Sequence, residues 1–237
     1  MNDDIYLWLK KILNEEYLFV RNLKQSDTTE VNVLENKCTG KRVVLKRVRG
    51  TAEVYDKLLY VEHNNIPVIY DVVTNSDSTI IVEEYIDGIT VGQVLETDLY
   101  DNKGVERVVV QVCKALLTLH QEDIVHRDIK PENIIITNDG VVKLIDYDIA
   151  RIDDSAKSSD TTILGTTGYA APEQYGIAKT DARSDIYSIG ILINVMLTGE
   201  HPSKKMCSGK WQKIVNKCTR INPDERYQNI RELMNVI

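Results

Sequence analysis

Between His126 and Asn133 the chain reads His-Arg-Asp-Ile-Lys-Pro-Glu-Asn, which puts a carboxylate, a cation and an amide (Asp128, Lys130 and Asn133) into one short loop. Transfer of a phosphoryl group to an alcohol needs these three groups close together. The carboxylate orients the hydroxyl and takes its proton, the cation offsets phosphate charge, and the amide oxygen can hold a divalent metal. A second carboxylate, Asp146, follows one hairpin later in Asp146-Tyr147-Asp148. With Asn133 it forms an oxygen donor set of the kind magnesium prefers. An isolated acid and lysine in a loop is ordinarily a solvated surface, but that reading does not account for the whole ordered string.

Loops of this kind must be carried by regular elements. The first third of the chain alternates as short strands over 17–23, 30–36 and 41–48, with Cys38-Thr39-Gly40-Lys41 as a hairpin turn. Val54, Leu58 and Val61 then recur at helical spacing within 52–62, and strands over 68–74 and 79–84 flank Asn75-Ser76-Asp77. Asp87-Gly88 breaks the pattern and marks a boundary. Beyond it the chain is mainly helical: 105–120 carries one apolar face, 185–197 is apolar throughout, and 211–218 and 228–236 follow. Asn138-Asp139-Gly140 between two apolar runs is a hairpin signal. The expectation is an α+β fold of two lobes: an amphipathic helical extension (1–15), a small β-rich lobe (16–86) and a larger helical lobe (87–237). In the extension, Asp3-Asp4 precede a face of Ile5, Trp8, Leu9 and Ile12. That face is expected to pack on the protein's own surface, with a partner protein, a second copy or a membrane surface as the alternative.

Composition narrows the partners. The chain has 237 residues, 43% of them hydrophobic and 27% charged, as in an ordinary globular protein. Its formal net charge of -7 argues against a non-specific nucleic-acid binder. The four cysteines (Cys38, Cys113, Cys207, Cys218) show neither disulfide-framework nor zinc spacing, which suits reduced thiols in the cytoplasm. No apolar run is long enough to span a bilayer, and the acidic start does not resemble a secretory signal.

The motifs, taken in order, resemble the eukaryotic-type protein kinase family from about Tyr17 to Met234. His126–Asn133 matches its catalytic loop, Val43-Val44-Leu45-Lys46 its lysine strand, and Ala171-Pro172-Glu173 the end of its activation segment. Asp185–Gly190 is similar to the start of its buried helix and Pro223–Arg226 to its late arginine motif. The resemblance implies the bilobal kinase fold, ATP and Mg2+ as cofactors, and transfer to protein serine or threonine. It makes Asp128, Lys130 and Asn133 catalytic, and Asn133 and Asp146 the metal ligands. Lys46 would hold the α- and β-phosphates, with Glu53 its candidate partner. Leu23, Val31, Val44 and Ile135 would sandwich the adenine, with the Glu84 carbonyl and Ile86 amide at its edge. Glu173 and Arg226 would form a structural ion pair, Asp185 would hold the catalytic loop's backbone, and the Thr166 hydroxyl would bridge Asp128 and Lys130. Arg127 before the catalytic Asp implies activation by a phosphate on Thr161 or Thr162, added by autophosphorylation. Gly168-Tyr169-Ala-Ala-Pro-Glu-Gln resembles bacterial members in particular, and without their membrane anchor a free cytoplasmic enzyme is implied.

Four departures stand against this pattern. The phosphate lid, Lys24 to Val31, contains no glycine. Asp-Phe-Gly has become Asp146-Tyr147-Asp148, where Asp148 reads as a cap of the next turn and the tyrosine hydroxyl requires a partner. Counting back from His63 puts Val54, not Glu53, where the lysine's glutamate belongs. The connection from His201 to Trp211 is also too short for the family's usual docking helix. The first two leave open a catalytically weak or inactive pseudokinase that binds nucleotide; a small-molecule phosphotransferase would share the same loop chemistry.

Overall fold

The structure is a computed structural model that describes residues 2–153, 166, 168–175 and 180–237. It divides into two compact units, residues 1–63 with 67–86 and residues 64–66 with 87–237.

The first unit is a five-stranded antiparallel sheet with one helix on it and a second, short one beside it. Its elements are α1 (Asn2–Glu16), β1 (Tyr17–Gln25), β2 (Thr29–Asn36), β3 (Arg42–Arg49), α2 (Glu53–Leu58), β4 (Ile69–Thr74) and β5 (Ser78–Glu84), in strand order β1-β2-β3-β5-β4. Side chains alternate across a strand, so the sheet has two distinct faces. One face presents Leu34, Val43, Val73, Ile80 and Val82, and these form one cluster with Tyr6, Leu9 and Leu13 of α1. The other carries Val31, Val33, Val44, Lys46 and Ile81, which the register sets opposite one another.

The helix therefore packs on its own sheet, but through a face rotated from the expected one. Tyr6, Leu9 and Leu13 are buried while Ile5 and Trp8 stand exposed. The anchor is polar as well as apolar, because the Tyr6 hydroxyl lies 2.8 Å from Ser78 Oγ. α2 also differs, ending at Leu58 rather than continuing to 62. The following residues are drawn into the other unit: Asn65 Nδ2 donates to Val142 O (2.7 Å) and Gln111 Oε1 (3.0 Å), and its carbonyl accepts Leu144 N (3.0 Å).

The second unit contains β6 (Gly88–Thr90), α3 (Val91–Leu95), α4 (Asn102–Gln121), β7 (Ile124–Val125), β8 (Ile134–Thr137), β9 (Val142–Leu144), β10 (Arg151–Ile152), α5 (Ala182–Thr198), α6 (Gly209–Cys218) and α7 (Ile230–Met234). Asp101 and Asp181 cap α4 and α5 by accepting main-chain N–H groups of their first turns. α5 is nearly surrounded, and α6 lies against it closely because residue 190 is glycine. A Cβ there would stand 2.5 Å from Cys218 Cβ. β8 and β9 form the expected hairpin, turning at Gly140 with φ +83°. Cys113, Cys207 and Cys218 are free and buried, and burial raises the Cys113 thiol to about 12, so the thiols serve as packing. Among the described residues no helix is long and apolar enough to cross a membrane.

Two buried polar clamps hold this unit. Arg226 spends all five of its N–H donors: two on Glu173 (2.7 and 2.9 Å) and three on the carbonyls of Arg183, Arg220 and Ile221. Asn194, fully buried in α5, closes the short α5–α6 connection. Its Nδ2 donates to Glu200 O (2.7 Å) and Lys205 O (2.8 Å), and its Oδ1 accepts Cys207 N (2.8 Å). Asn194→Leu would take the side-chain partner from Lys205 O and Cys207 N, and leave Glu200 O only that of Thr198, at a modest change in side-chain volume. A loss of about 3 kcal/mol in urea unfolding is expected, and a loss below about 1 kcal/mol would contradict the clamp.

Candidate active site

The loop of interest runs between β7 and a 3₁₀ turn at Pro131–Asn133. Its backbone is not relaxed. Arg127 has φ +68° and Asp146 has φ +66°, left-handed values that cost a non-glycine residue about 1–2 kcal/mol. The structure holds the first of these from both sides. Asp185, at the start of α5, accepts His126 N on Oδ2 (3.0 Å) and Arg127 N on Oδ1 (2.8 Å), and the Arg127 carbonyl accepts Gln174 Nε2 (2.8 Å).

Asp185 is itself held by His120 Nε2, 2.8 Å from Oδ2. Burial alone would raise this carboxyl. The hydrogen bond and charge of His120 and the Arg127 amide outweigh it and keep the group below the usual carboxylate range. His126 moves the other way. Burial lowers its imidazole against the pull of Asp185, Asp128 and Asp146, so it sits neutral at pH 7. Nε2–H then faces the Ile145 carbonyl (3.2 Å), and Nδ1 accepts the Asp128 amide (3.3 Å).

On this support the catalytic-loop residues converge. Lys130 Nζ donates to Asp128 Oδ2 (2.7 Å) and to Thr166 Oγ1 (2.8 Å), and Thr166 Oγ1 donates to Asp128 Oδ1 (2.7 Å). Asn133 Nδ2 donates to both the carbonyl (2.9 Å) and Oδ2 (2.8 Å) of Asp128. Three side chains thus fix one carboxylate, and the Thr166 bridge lies where the sequence motif put it. Because the Asn133 nitrogen faces Asp128, its amide oxygen is left for a cation. The Asn133 carbonyl accepts Ile145 N (2.9 Å), which sets the chain entering Asp146 beside Asn133. Oxygen donors from an amide and a carboxylate, so placed, fit magnesium.

The Asp146-Tyr147-Asp148 turn is locally tied. The Tyr147 hydroxyl donates to Leu144 O (2.8 Å), and its ring packs 5.0 Å from that of His126. Within the turn, Asp146 Oδ1 accepts the Asp148 amide (3.4 Å). A second cation, missed from the sequence, stands near Arg127. Burial first, then the charge of Arg151 on β10, lower the Arg127 guanidinium. A basic residue a few positions after the Asp146 turn was the available signal. Thr161 and Thr162 lie outside the described residues.

In the first unit, Lys46 is buried on the sheet with Val31 and Val44 on the same face. Its α2 partner is Tyr55, whose hydroxyl accepts Lys46 Nζ at 2.8 Å, whereas Glu53 is exposed at the start of the helix. The sequence had offered Glu53 or no partner, and a tyrosine did not enter the reckoning. Glu84 ends β5, with its amide donating to Val68 O (2.8 Å), and Ile86 is buried. Leu23 is exposed on β1; Ile135 belongs to β8 of the other unit. The glycine-free lid closes as a tight turn. Ser26 N donates to Thr29 O (2.8 Å), and Ser26 Oγ accepts the amides of Thr28 (3.4 Å) and Thr29 (3.0 Å). A serine hydroxyl thus takes main-chain groups that a glycine loop would leave open.

Comparison with known proteins agrees with this geometry. The protein kinase domain profile matches residues 20–236. Serine/threonine-protein kinase PknB of Mycolicibacterium smegmatis is 33% identical over 203 residues, covering 72% of this chain and 32% of the relative. PknB of Mycobacterium tuberculosis strain H37Rv is 35% identical over 181 residues, 65% of this chain and 29% of that protein. The probable serine/threonine-protein kinase CPE1738 of Clostridium perfringens is 33% identical over 174 residues, 73% of this chain and 25% of its own length. The chain matches no more than about a third of the length of these relatives. A family profile spanning nearly the whole sequence, on a loop with this geometry, places the chain in the eukaryotic-type protein kinase family, alongside these bacterial members.

Proposed function

We propose that the protein is a cytoplasmic serine/threonine protein kinase that transfers the γ-phosphoryl group of ATP to protein hydroxyls. The observation that carries this reading is the Asp128 carboxylate fixed at once by Lys130, Asn133 and Thr166.

Each side chain then has a physical task. Asp128 Oδ1 carries one hydrogen bond, from Thr166, and keeps a lone pair to orient the incoming hydroxyl and receive its proton. Lys130, already 2.7 Å from Asp128, sets a positive charge beside the transferred group. Lys46 holds the α- and β-phosphates, and Val31 and Val44 offer an apolar surface to the base. Asn133 and Asp146 would hold magnesium, which when bound neutralises charge on the phosphate oxygens. Positioning and charge stabilisation dominate, and the protein forms no covalent intermediate.

Regulation follows from the arginine pair. The charge of Arg151 acts on the Arg127 guanidinium, and a dianionic phosphate beside them would offset both charges. Phosphorylation of Thr161 or Thr162 by the kinase itself supplies such a group. The exposed Ile5, Leu7 and Trp8 of α1 support self-association through this helix.

Two measurements test the reading. With labelled ATP and magnesium, the wild type should label itself and a serine/threonine substrate, with peptide mapping placing self-label on Thr161 or Thr162. Asp128→Ala should lower transfer by about a thousandfold. Wild-type protein that binds nucleotide but transfers nothing would contradict the proposal and favour a pseudokinase. Sedimentation across a concentration series should show a dimer that Trp8→Glu dissociates; a wild type monomeric throughout would remove that part.

A further inference from the structure

The chain carries a net charge of -7, yet no Asp or Glu occurs from His201 to Pro223. The same stretch holds Lys204, Lys205, Lys210, Lys213, Lys217 and Arg220, all of them exposed. Two of these reach an acid outside the stretch at 4.0 Å, Lys210 to Glu106 and Arg220 to Glu225. Among the described residues the side chains of Lys204, Lys205, Lys213 and Lys217 form no ion pair.

A run of charge is ordinarily a solvated face, but this one opposes the helix that bears it. Lys210, Lys213 and Lys217 stand three and four residues apart on α6, where like charges are neighbours and repel. The first turn of α6 contains Lys210 and no acid, the reverse of what the helix dipole favours. The patch is also built, not loose. His201 O accepts the amides of Lys204 (2.8 Å) and Lys205 (3.1 Å), and Asn194 holds Lys205 O and Cys207 N. Lys217 Nζ lies 4.3 Å from the centre of the Tyr227 ring.

Beside these lysines is a cavity of about 750 Å³, within the range of ligand-binding clefts. Lys210, Gln212, Lys213, Asn216, Tyr227 and Val236 line it. The Gln212 and Asn216 side chains are exposed and make no hydrogen bond among the described residues. The concavity therefore combines positive charge, free amides, an aromatic ring and an aliphatic side chain.

We propose that this face of α6, with the loop before it, docks an acidic segment of the protein substrate. That the partner is a substrate rests on the kinase reading above; that it is an acidic peptide rests on the patch. Its carboxylates meet the four ammonium groups that lack an acid, and its main chain meets the Gln212 and Asn216 amides. A bilayer or a nucleic acid would extend beyond the patch onto a molecule of net negative charge, which repels it. A short segment meets the patch alone. Docking raises the local concentration of the attached hydroxyl without altering the active loop.

The test uses the full chain and two synthetic serine peptides, one short and neutral, the other extended by a run of Asp and Glu. Lys204, Lys205, Lys213 and Lys217 are changed together to Gln; the same change at Lys10, Lys11, Lys41 and Lys114, also exposed, is the control. All these side chains face solvent, so both variants should melt as the wild type does. By fluorescence anisotropy the wild type should bind the acidic peptide, more weakly as salt rises. The patch variant should bind it about tenfold more weakly, the scale of four exposed charge pairs, and the control variant as the wild type does. The KM for the acidic peptide should rise by the same factor relative to that for the short one. Equal binding by wild type and patch variant, or an equal loss in the control, would overturn the docking site. Tighter binding of the patch to phosphatidylserine–phosphatidylcholine vesicles or to a single-stranded oligonucleotide than to the acidic peptide would overturn it too. A wild type that binds the peptide through the patch but transfers phosphate neither to peptide nor to itself would instead overturn the kinase reading, and with it the role of substrate.

Discussion

One buried carboxylate sets the geometry of the active loop. Asp185 has no contact with solvent, yet it is held ionised by His120 and by the amides of His126 and Arg127. Those two amides belong to the two residues immediately before Asp128. By gripping them the helix start keeps Arg127 in a left-handed conformation that its side chain disfavours. Strain of this kind persists only where the surroundings over-determine it. Here they do so through Asp185 on one side of the peptide and Gln174 on the other. Gln174 in turn neighbours Glu173, which is clamped by Arg226. The catalytic loop, the end of the activation segment and the late arginine motif are thereby joined by buried polar bonds. Removing one partner of such a set leaves a charge without compensation, which is why these positions carry stability and chemistry together.

The first unit solves a simpler problem by similar means. Its sheet must be apolar enough on one face to pack and must carry a charged lysine on the other. α1 covers the first face with Tyr6, Leu9 and Leu13. Tyr55 then serves the lysine on the second with a hydroxyl. The lid turn follows the same economy of groups, with Ser26 accepting the amides that close it.

The catalytic loop was legible in the sequence because its chemistry is local: Asp128, Lys130 and Asn133 lie within one turn and need no knowledge of the fold. Thr166, the Glu173–Arg226 pair and Asp185 were legible only through the resemblance, since their partners lie tens of residues away. Strand and hairpin assignments succeeded where turn residues punctuate the chain, as at Gly40 and Gly140. α2 ended early because Asn65 is recruited by Gln111 and Val142, a tertiary demand with no local signature. The face of α1 was misjudged because Tyr6, polar-tipped, outranks Trp8 once Ser78 stands ready to meet its hydroxyl. Tyr55 escaped notice because a search for charge complementarity looks for acids, and the hydroxyl that accepts Lys46 Nζ is neutral. Asn194 was equally silent, since an asparagine in an apolar helix announces a buried clamp only when the loop it closes is known.

The measurement that bears most directly on this account is the effect of Asp185→Asn on transfer and on nucleotide binding. Asparagine keeps one acceptor oxygen and loses the charge, so it cannot hold both loop amides together with His120. Transfer should fall by about a hundredfold, the cost of a small displacement of a catalytic group, with the Kd for magnesium–ATP little changed. Transfer at the wild-type rate would contradict the claim that this buried carboxylate sets the active geometry.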